Sequence, residues 1–268
     1  MSDLKEKAIR VGIGGWTYEP WRGSFYPDRH PQKRELEYAS CKLTSIEVNG
    51  TYYGAQKPET FAKWFDETPE DFVFSLKAPR YATNRKVLAE AGETIERFFS
   101  GGVMQLRHKL GVFNWQFMPT KAFDPVDFEA FLKLLPAKID GYALRHAVEV
   151  RHLSFKTPEF TELARKYGVA IVMAVDSEYP LIAELTAPFV YIRLMGTKQG
   201  EQLGYHADGL DLWAGFSKIL AAGQIPDGLS PAAAKAVEEG RRDVFLYVIS
   251  GHKVVNPHAA MALADRVR

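Results

Sequence analysis

The sequence predicts an α/β fold, a TIM-barrel-like (β/α)8 ring that becomes irregular after its seventh strand. Eight apolar runs alternate with helical patterns along 268 residues, a rhythm that builds a parallel sheet. No Gly-x-Gly-x-x-Gly turn follows the first run, which favours a closed barrel over an open doubly wound sheet. Polar residues also recur at alternate positions late in several runs, as they do where strands line a barrel mouth.

The runs cover residues 9–16, 43–50, 72–79, 111–118, 147–152, 170–177, 189–196 and 244–250. Each is rich in β-branched or aromatic residues, and most are separated by helix-length segments. Helix starts are marked by Lys57-Pro58-Glu59, Asp124-Pro125-Val126, Thr157-Pro158-Glu159 and Ser230-Pro231-Ala232. Proline at a first helical position is preset for φ and lacks only an N–H that would go unpaired; Asp, Thr and Ser before it are good N-caps. The sixth-to-seventh connection is short and the seventh-to-eighth long, so an extra helix is expected after the seventh strand. The whole chain, 1–268, reads as a single domain.

Composition bounds the function. With 34 Lys and Arg against 33 Asp and Glu, the formal charge is +1, so the broad positive field of a nucleic-acid coat protein or membrane-surface binder is missing. The single cysteine, Cys41, excludes an intramolecular disulfide and a cysteine metal cluster, and is expected to be a buried structural thiol in a helix-like stretch. The first residues carry charges where a signal peptide has an apolar run, and no run reaches the ~20 apolar residues of a membrane span. A cytoplasmic protein with no membrane partner is expected.

In a barrel, alternate residues face inward and those near a strand's carboxyl end face the mouth. That register places Glu47 and Asn49 of the second run there, with Lys77, Asn114, Gln116, Glu149, Arg151, Asp176 and Arg193 of later runs. Their neighbours Ile46, Val48, Leu76, Val148, Val150, Ile192 and Leu194 then pack under helices. Structural ion pairing is the plain alternative, since Glu47, Glu149 and Asp176 balance Lys77, Arg151 and Arg193. Buried pairs add little stability once desolvation is counted, so the register points to a site. Water is expected to reach Glu149, and Glu149→Gln to leave the melting temperature nearly unchanged. Aromatic clusters after the first and second runs, Trp16, Tyr18, Trp21, Phe25 and Tyr26 and then Tyr52 and Tyr53, usually anchor loops. Around a polar mouth some faces can stack on a sugar or base, and Trp21-Arg22 is a candidate edge of such a cleft.

The stretches GIGGWTYEPWRGSFYP, SIEVNGTYYGAQKPETFAKWFDETPEDFVFSLKAPR, VEVRH and YIRLMG resemble the YecE-like family, domain of unknown function 72. The resemblance runs over nearly the whole chain and implies a TIM-barrel-like fold, with no established activity. It adds Arg80, His152, Tyr205 and Asn256 to the residues matching recurring polar and aromatic motifs, beside Trp16, Tyr18, Trp21, Glu47, Asn49, Tyr52, Lys77, Gln116, Glu149, Arg151, Asp176 and Arg193. Two departures stand out. Gln116-Phe-Met-Pro119 replaces a Gln-Leu-Pro-Pro segment, and Val248-Ile-Ser250 replaces Phe-Asn-Asn, leaving Asn256 as the counterpart of the asparagine that follows.

Carboxylates ending the fifth and sixth runs, as Glu149 and Asp176 would, ligate metal in sugar-isomerase-like barrels, but Arg193 in the seventh opposes a divalent cation. His152 is expected to point outward, and His206, His252 and His258 to lie in loops. No metal and no cofactor is expected. Without a Gly-x-Ser-x-Gly elbow or a P-loop, carboxylate acid/base chemistry by Glu47, Glu149 and Asp176 is expected, with Lys77, Arg151 and Arg193 holding an anionic group. The leading expectation is a hydrolase or an isomerase or lyase acting on a small polar ligand such as a sugar or sugar phosphate. A nucleic-acid-binding or processing protein, opposed by the near-zero charge, and a non-catalytic ligand-binding protein are the alternatives. The oligomeric state is not legible.

Overall fold

The computed structural model describes residues 8–229 and 240–268. Its strands are β1 (Ile9–Gly14), β2 (Ser45–Val48), β3 (Val73–Lys77), β4 (Leu110–Gln116), β5 (Lys138–Ile139), β6 (Tyr142–Ala143), β7 (Arg145–Glu149), β8 (Ala170–Ile171), β9 (Met173–Val175), β10 (Phe189–Leu194) and β11 (Asp243–Val248). β5 and β6 form a separate antiparallel hairpin; the other nine make one parallel sheet in the order β8-β7-β4-β3-β2-β1-β11-β10-β9. The two strands ending that order are consecutive in the chain, separated only by Val172. β8 pairs with β7 and β9 with β10, and the Val172 N–H donates to the Val148 carbonyl at 3.0 Å. The ring therefore closes through one interrupted stave, giving the eight staves expected.

The helices are α1 (Glu35–Lys42), α2 (Gly50–Tyr53), α3 (Pro58–Asp66), α4 (Arg80–Thr83), α5 (Gly92–Ser100), α6 (Pro125–Leu134), α7 (Pro158–Lys166), α8 (Ala207–Ala221) and α9 (Asn256–Val267). Pro58, Pro125 and Pro158 open α3, α6 and α7. The Asp124 carboxylate caps α6 by accepting from the Val126 and Asp127 N–H groups, and the Thr157 hydroxyl caps α7 by accepting from Phe160 N–H. Each cap satisfies donors that the helix itself leaves unpaired. The fourth signal, at Ser230, lies outside the described residues. Residues 176–188, between β9 and β10, hold no helix, so the irregularity begins before the seventh strand; α8 follows it. No helix among the described residues is long and apolar enough to cross a membrane.

Strand alternation sorts the core into two parts. Outward residues such as Val11, Ile46, Phe74, Trp115, Val148 and Leu246 pack under the helices, while Val73, Val112, Ala147, Phe189, Phe245 and Tyr247 fill the barrel. Each fully buried large apolar side chain contributes about 1.5–3 kcal/mol. Inside, the Tyr247 hydroxyl lies 2.6 Å from that of Ser45 and 2.8 Å from that of Ser75. Gly12 makes room: a Cβ there would stand 2.0 Å from the Ser45 carbonyl oxygen and 3.1 Å from the Tyr247 ring. Cys41 departs from expectation, because α1 turns Leu36, Ala39 and Ser40 inward and leaves the thiol exposed.

Candidate functional site

Toward the strands' carboxyl ends, from the level at which Arg193 pairs with Tyr247, the inward side chains become charged. Arg193 of β10 is the hub. Its guanidinium donates to Glu149 Oε2 at 2.6 Å and to Glu47 Oε1 at 3.0 Å, tying β10 to β7 and β2. The second Glu47 oxygen accepts from the Tyr191 hydroxyl at 2.6 Å. Glu149 Oε1 accepts from Arg151 Nε at 2.8 Å and Nη2 at 2.6 Å, and from Gln116 Nε2 at 2.8 Å. Asn114 Nδ2 stands between the two carboxylates, 3.4 Å from Glu47 and 3.3 Å from Glu149. Lys77 Nζ donates to Gln116 Oε1 at 2.9 Å and sits 4.1 Å from the centre of the Tyr52 ring. Seven of the nine residues chosen by register thus converge, all but Asn49 and Asp176, because strand pairing sets Glu47, Lys77, Gln116 and Glu149 at neighbouring heights.

Glu47 and Glu149 are fully buried and Arg193 is 3% exposed, which corrects the expectation that water reaches Glu149. Burial alone would push its carboxyl pKa up. The charges of Arg193 and Arg151, with hydrogen bonds from Arg151 and Gln116, outweigh that and hold it well below the usual carboxylate range. Burial likewise opposes the Arg193 charge, and Glu149 and Glu47 outweigh it, so its pKa is raised. Lys77 lacks a carboxylate hydrogen-bond partner. Its pKa falls to about 8, first through burial and then through the Arg193 charge, against partial support from Glu47 and Glu149. Arg151, whose side chain is 18% exposed, lies over the Tyr179 ring at 4.2 Å and forms the outer edge of the cluster. Three cations, Lys77, Arg151 and Arg193, thus face two carboxylates.

Asp176 occupies the end of the sixth stave but does not join this cluster. It is exposed, with φ at +54°, and Tyr205 donates to its Oδ2 at 3.0 Å while accepting from the Gly196 N–H. Gly196 permits this packing, since a Cβ there would stand 2.4 Å from the Asp176 Cβ. Nearer β1, a cavity of about 250 Å³ is lined by Trp16, Asn49, Gln56, Trp64 and Lys253 and by the backbone of Gly14, Gly15 and Gly50. Lys253 lies 4.2 Å from the Tyr18 ring centre.

Other expected residues have different positions. Trp21 is 1% exposed and donates through Nε1 to the Lys253 carbonyl, so it anchors its loop and offers no face to a cleft. Its neighbour Arg22 is engaged by Glu35 at 2.8 Å. Asn256, 1% exposed, is bound by the Thr197 hydroxyl at 2.7 Å and clamps the start of α9. His152 uses Nδ1 to accept from Ser154 N–H in its own turn, Arg80 lies against Tyr53 and Tyr81, and His258 belongs to α9 instead of a loop. Register reasoning missed Tyr191 and Tyr179; Tyr191 shares the parity of Arg193, a signal that was present. Among the described residues, no group of three or more His, Cys, Asp or Glu is placed to hold a metal ion. Arg193 occupies the space between Glu47 and Glu149.

The fold and this interior define a (β/α)8-type protein whose mouth holds more cations than carboxylates in a water-poor setting. The chain belongs to the family described as Protein of unknown function DUF72, whose model matches residues 10–268. It is 26% identical over 150 residues to UPF0759 protein YecE of Escherichia coli (strain K12), covering 55% of this chain and 50% of that protein. Over 160 residues it is 26% identical to UPF0759 protein YunF of Bacillus subtilis (strain 168), covering 58% and 54%. It spans about half the length of the curated relatives it matches. A crystal structure of a DUF72 family protein from Thermotoga maritima MSB8 aligns with TM-score 0.70 at 20% identity, covering 96% of this chain and 97% of that one. Another from Enterococcus faecalis V583 aligns with TM-score 0.69 at 16% identity, covering 97% and 95%. These likenesses establish the fold.

Proposed function

We propose that the barrel mouth is the active site of an enzyme that binds a small anionic, polar metabolite and moves protons on it. The observation that carries this reading is the uncompensated cation at the mouth. Lys77 is hydrogen-bonded to a neutral amide, and both carboxylates are taken up by guanidinium groups. A buried excess charge is costly unless a partner arrives, and an anionic group supplies that partner. In this reading Lys77 and Arg151 contact the anion, and the cavity beside Asn49 and Trp16 takes its polar remainder. Asp176, exposed at the rim and outside the guanidinium network, with Tyr205 donating to its Oδ2, is the carboxylate left for acid/base work. Glu47 and Glu149, though expected from sequence to be catalytic, serve better as anchors that keep Arg193 and Arg151 charged and fixed. Arg193 supplies the positive charge between them, so the reading calls on no divalent ion.

Thermal-shift titration with inorganic phosphate, sugar phosphates, 2-oxo acids and neutral sugars tests it. A bound anion at a hundredfold excess over its Kd contributes about 2.7 kcal/mol, which for a chain of this size raises Tm by roughly 5–10 °C. Stabilisation by anions, lost in Arg151→Ala, is expected. Equal stabilisation by neutral sugars, or a full anion response in Arg151→Ala, would overturn the reading.

A further inference from the structure

We propose that Lys77 is an amine nucleophile that forms an imine with the carbonyl group of an anionic aldehyde or ketone. This rests on the reading of the mouth as an anion site and names the substrate class. The argument begins with placement. Lys77 ends β3 inside the barrel, 6% exposed, and the short helix α2 is built over it: the Thr51 hydroxyl donates to the Lys77 carbonyl at 2.7 Å, and the next residue, Tyr52, lays its ring against the amine. The amine is held at both ends of its side chain.

Its surroundings loosen the proton on Nζ. A lysine kept for charge pairing is expected to touch a carboxylate, yet the two nearby carboxylates are saturated by Arg193, Arg151, Tyr191 and the side-chain amides. What Nζ meets is one amide oxygen and one ring face. Burial and then the Arg193 charge, with a smaller push from Arg151, lower its pKa against the support of Glu47 and Glu149, so the resting ammonium gives up its proton to an incoming carbonyl compound more readily than an ordinary lysine does. At neutral pH the neutral fraction is on the order of 100-fold above that of an ordinary lysine. The two guanidinium groups that weaken the ammonium also provide a counter-charge for a carboxylate or phosphate on the carbonyl compound.

The step balances without an oxidant or reductant. Nζ bonds to the carbonyl carbon and the C=O π pair moves to oxygen, which takes a proton to give a carbinolamine. The C–O bond then breaks and the oxygen leaves as water. Lys-NH3+ and C=O become C=NH+ and H2O, with two ammonium hydrogens and the carbonyl oxygen in the water. The protonated imine is an electron sink for proton removal or bond cleavage at the adjacent carbon, chemistry that joins the proposed acid/base work of Asp176 to the same ligand.

Borohydride trapping on the full chain tests this. The protein is incubated with glyoxylate, pyruvate or dihydroxyacetone phosphate, reduced with sodium borohydride, and mapped by peptide mass spectrometry, with thermal shifts recorded for the same probes. The expected result is a reduced adduct on Lys77 at about tenfold or more the level on exposed lysines such as Lys57, rising with pH through about 8. Lys77→Arg removes the adduct while circular dichroism shows that the chain still folds. Stabilisation by the probes with no adduct on Lys77 overturns the imine and leaves the anion site standing. Neither stabilisation nor adduct overturns both, and labelling spread evenly over surface lysines overturns the imine.

Discussion

Replacing Glu149 by Gln removes one charge and alters almost nothing in volume, which makes it a clean perturbation of the barrel interior. The carboxylate accepts five hydrogen bonds, from Asn114, Gln116, Arg193 and twice from Arg151. Every neighbour is a donor. A glutamine amide must therefore point its own N–H groups either at Arg193 or at Arg151 and Gln116, in a place with no exposure to water. Breaking a buried ion pair by removing one partner costs about 3–5 kcal/mol. Arg193 keeps Glu47, and the Arg151 side chain is 18% exposed and lies against Tyr179, so the lower end applies, about 3 kcal/mol. For a chain of this length that lowers Tm by roughly 6–12 °C. Urea titration followed by circular dichroism and tryptophan fluorescence measures it, with an unchanged m-value showing that the extent of unfolding is the same. A Glu149→Gln protein within about 0.5 kcal/mol of the parent would mean that water reaches this carboxylate, and the buried-network account would be wrong.

Two other outcomes follow from the geometry. His146 accepts from Trp115 Nε1 at its Nδ1 and donates from Nε2 to the Pro136 carbonyl, and burial, against that carbonyl bond, lowers its pKa from 6.5 to about 4. The unfolded chain therefore binds the extra proton between pH 6.5 and 4: the stability is full above 6.5 and is lost as pH falls, about 3 kcal/mol in total. His146→Gln should flatten the pH dependence of urea stability between 5 and 6.5, and an unchanged slope would refute the assignment. Elemental analysis after dialysis should find no stoichiometric zinc or manganese, because Arg193 stands between the two buried carboxylates; a tightly held ion removed by Glu47→Gln would refute that.

Parity was the most legible property of the sequence. Alternation in the runs holding Glu47, Lys77, Gln116, Glu149 and Arg193 fixed which residues face inward, and strand pairing then brought them together, since a one-residue slip would have turned all of them outward. Depth was not legible. Whether water reaches Glu149 depends on Tyr191, Asn114 and Gln116 from other staves, and nothing local to VEVRH encodes them. The aromatic loop after β1 failed for a similar reason: Trp16 and Trp21 are alike in sequence, yet Trp21 is buried and bonded to the Lys253 carbonyl, more than 200 positions away. Asn256 entered through the family resemblance alone, and a motif match does not distinguish a site asparagine from a buried clamp on Thr197. The split of the sixth stave at Val172 has no signal in an unbroken apolar run.

Arg193 bridges Glu47 and Glu149, and so acts as a cross-brace between three staves. Long cationic side chains normally lose rotational freedom when they close on a ligand, at about 0.5–1.5 kcal/mol each. Here that ordering happens during folding. An anion bound there, as proposed, would meet charges that are already stationary, so its affinity would depend on how well its shape matches a fixed frame. The same bracing limits how far the mouth can reshape itself, which for the proposed anion site would favour a narrow range of ligands over a broad one.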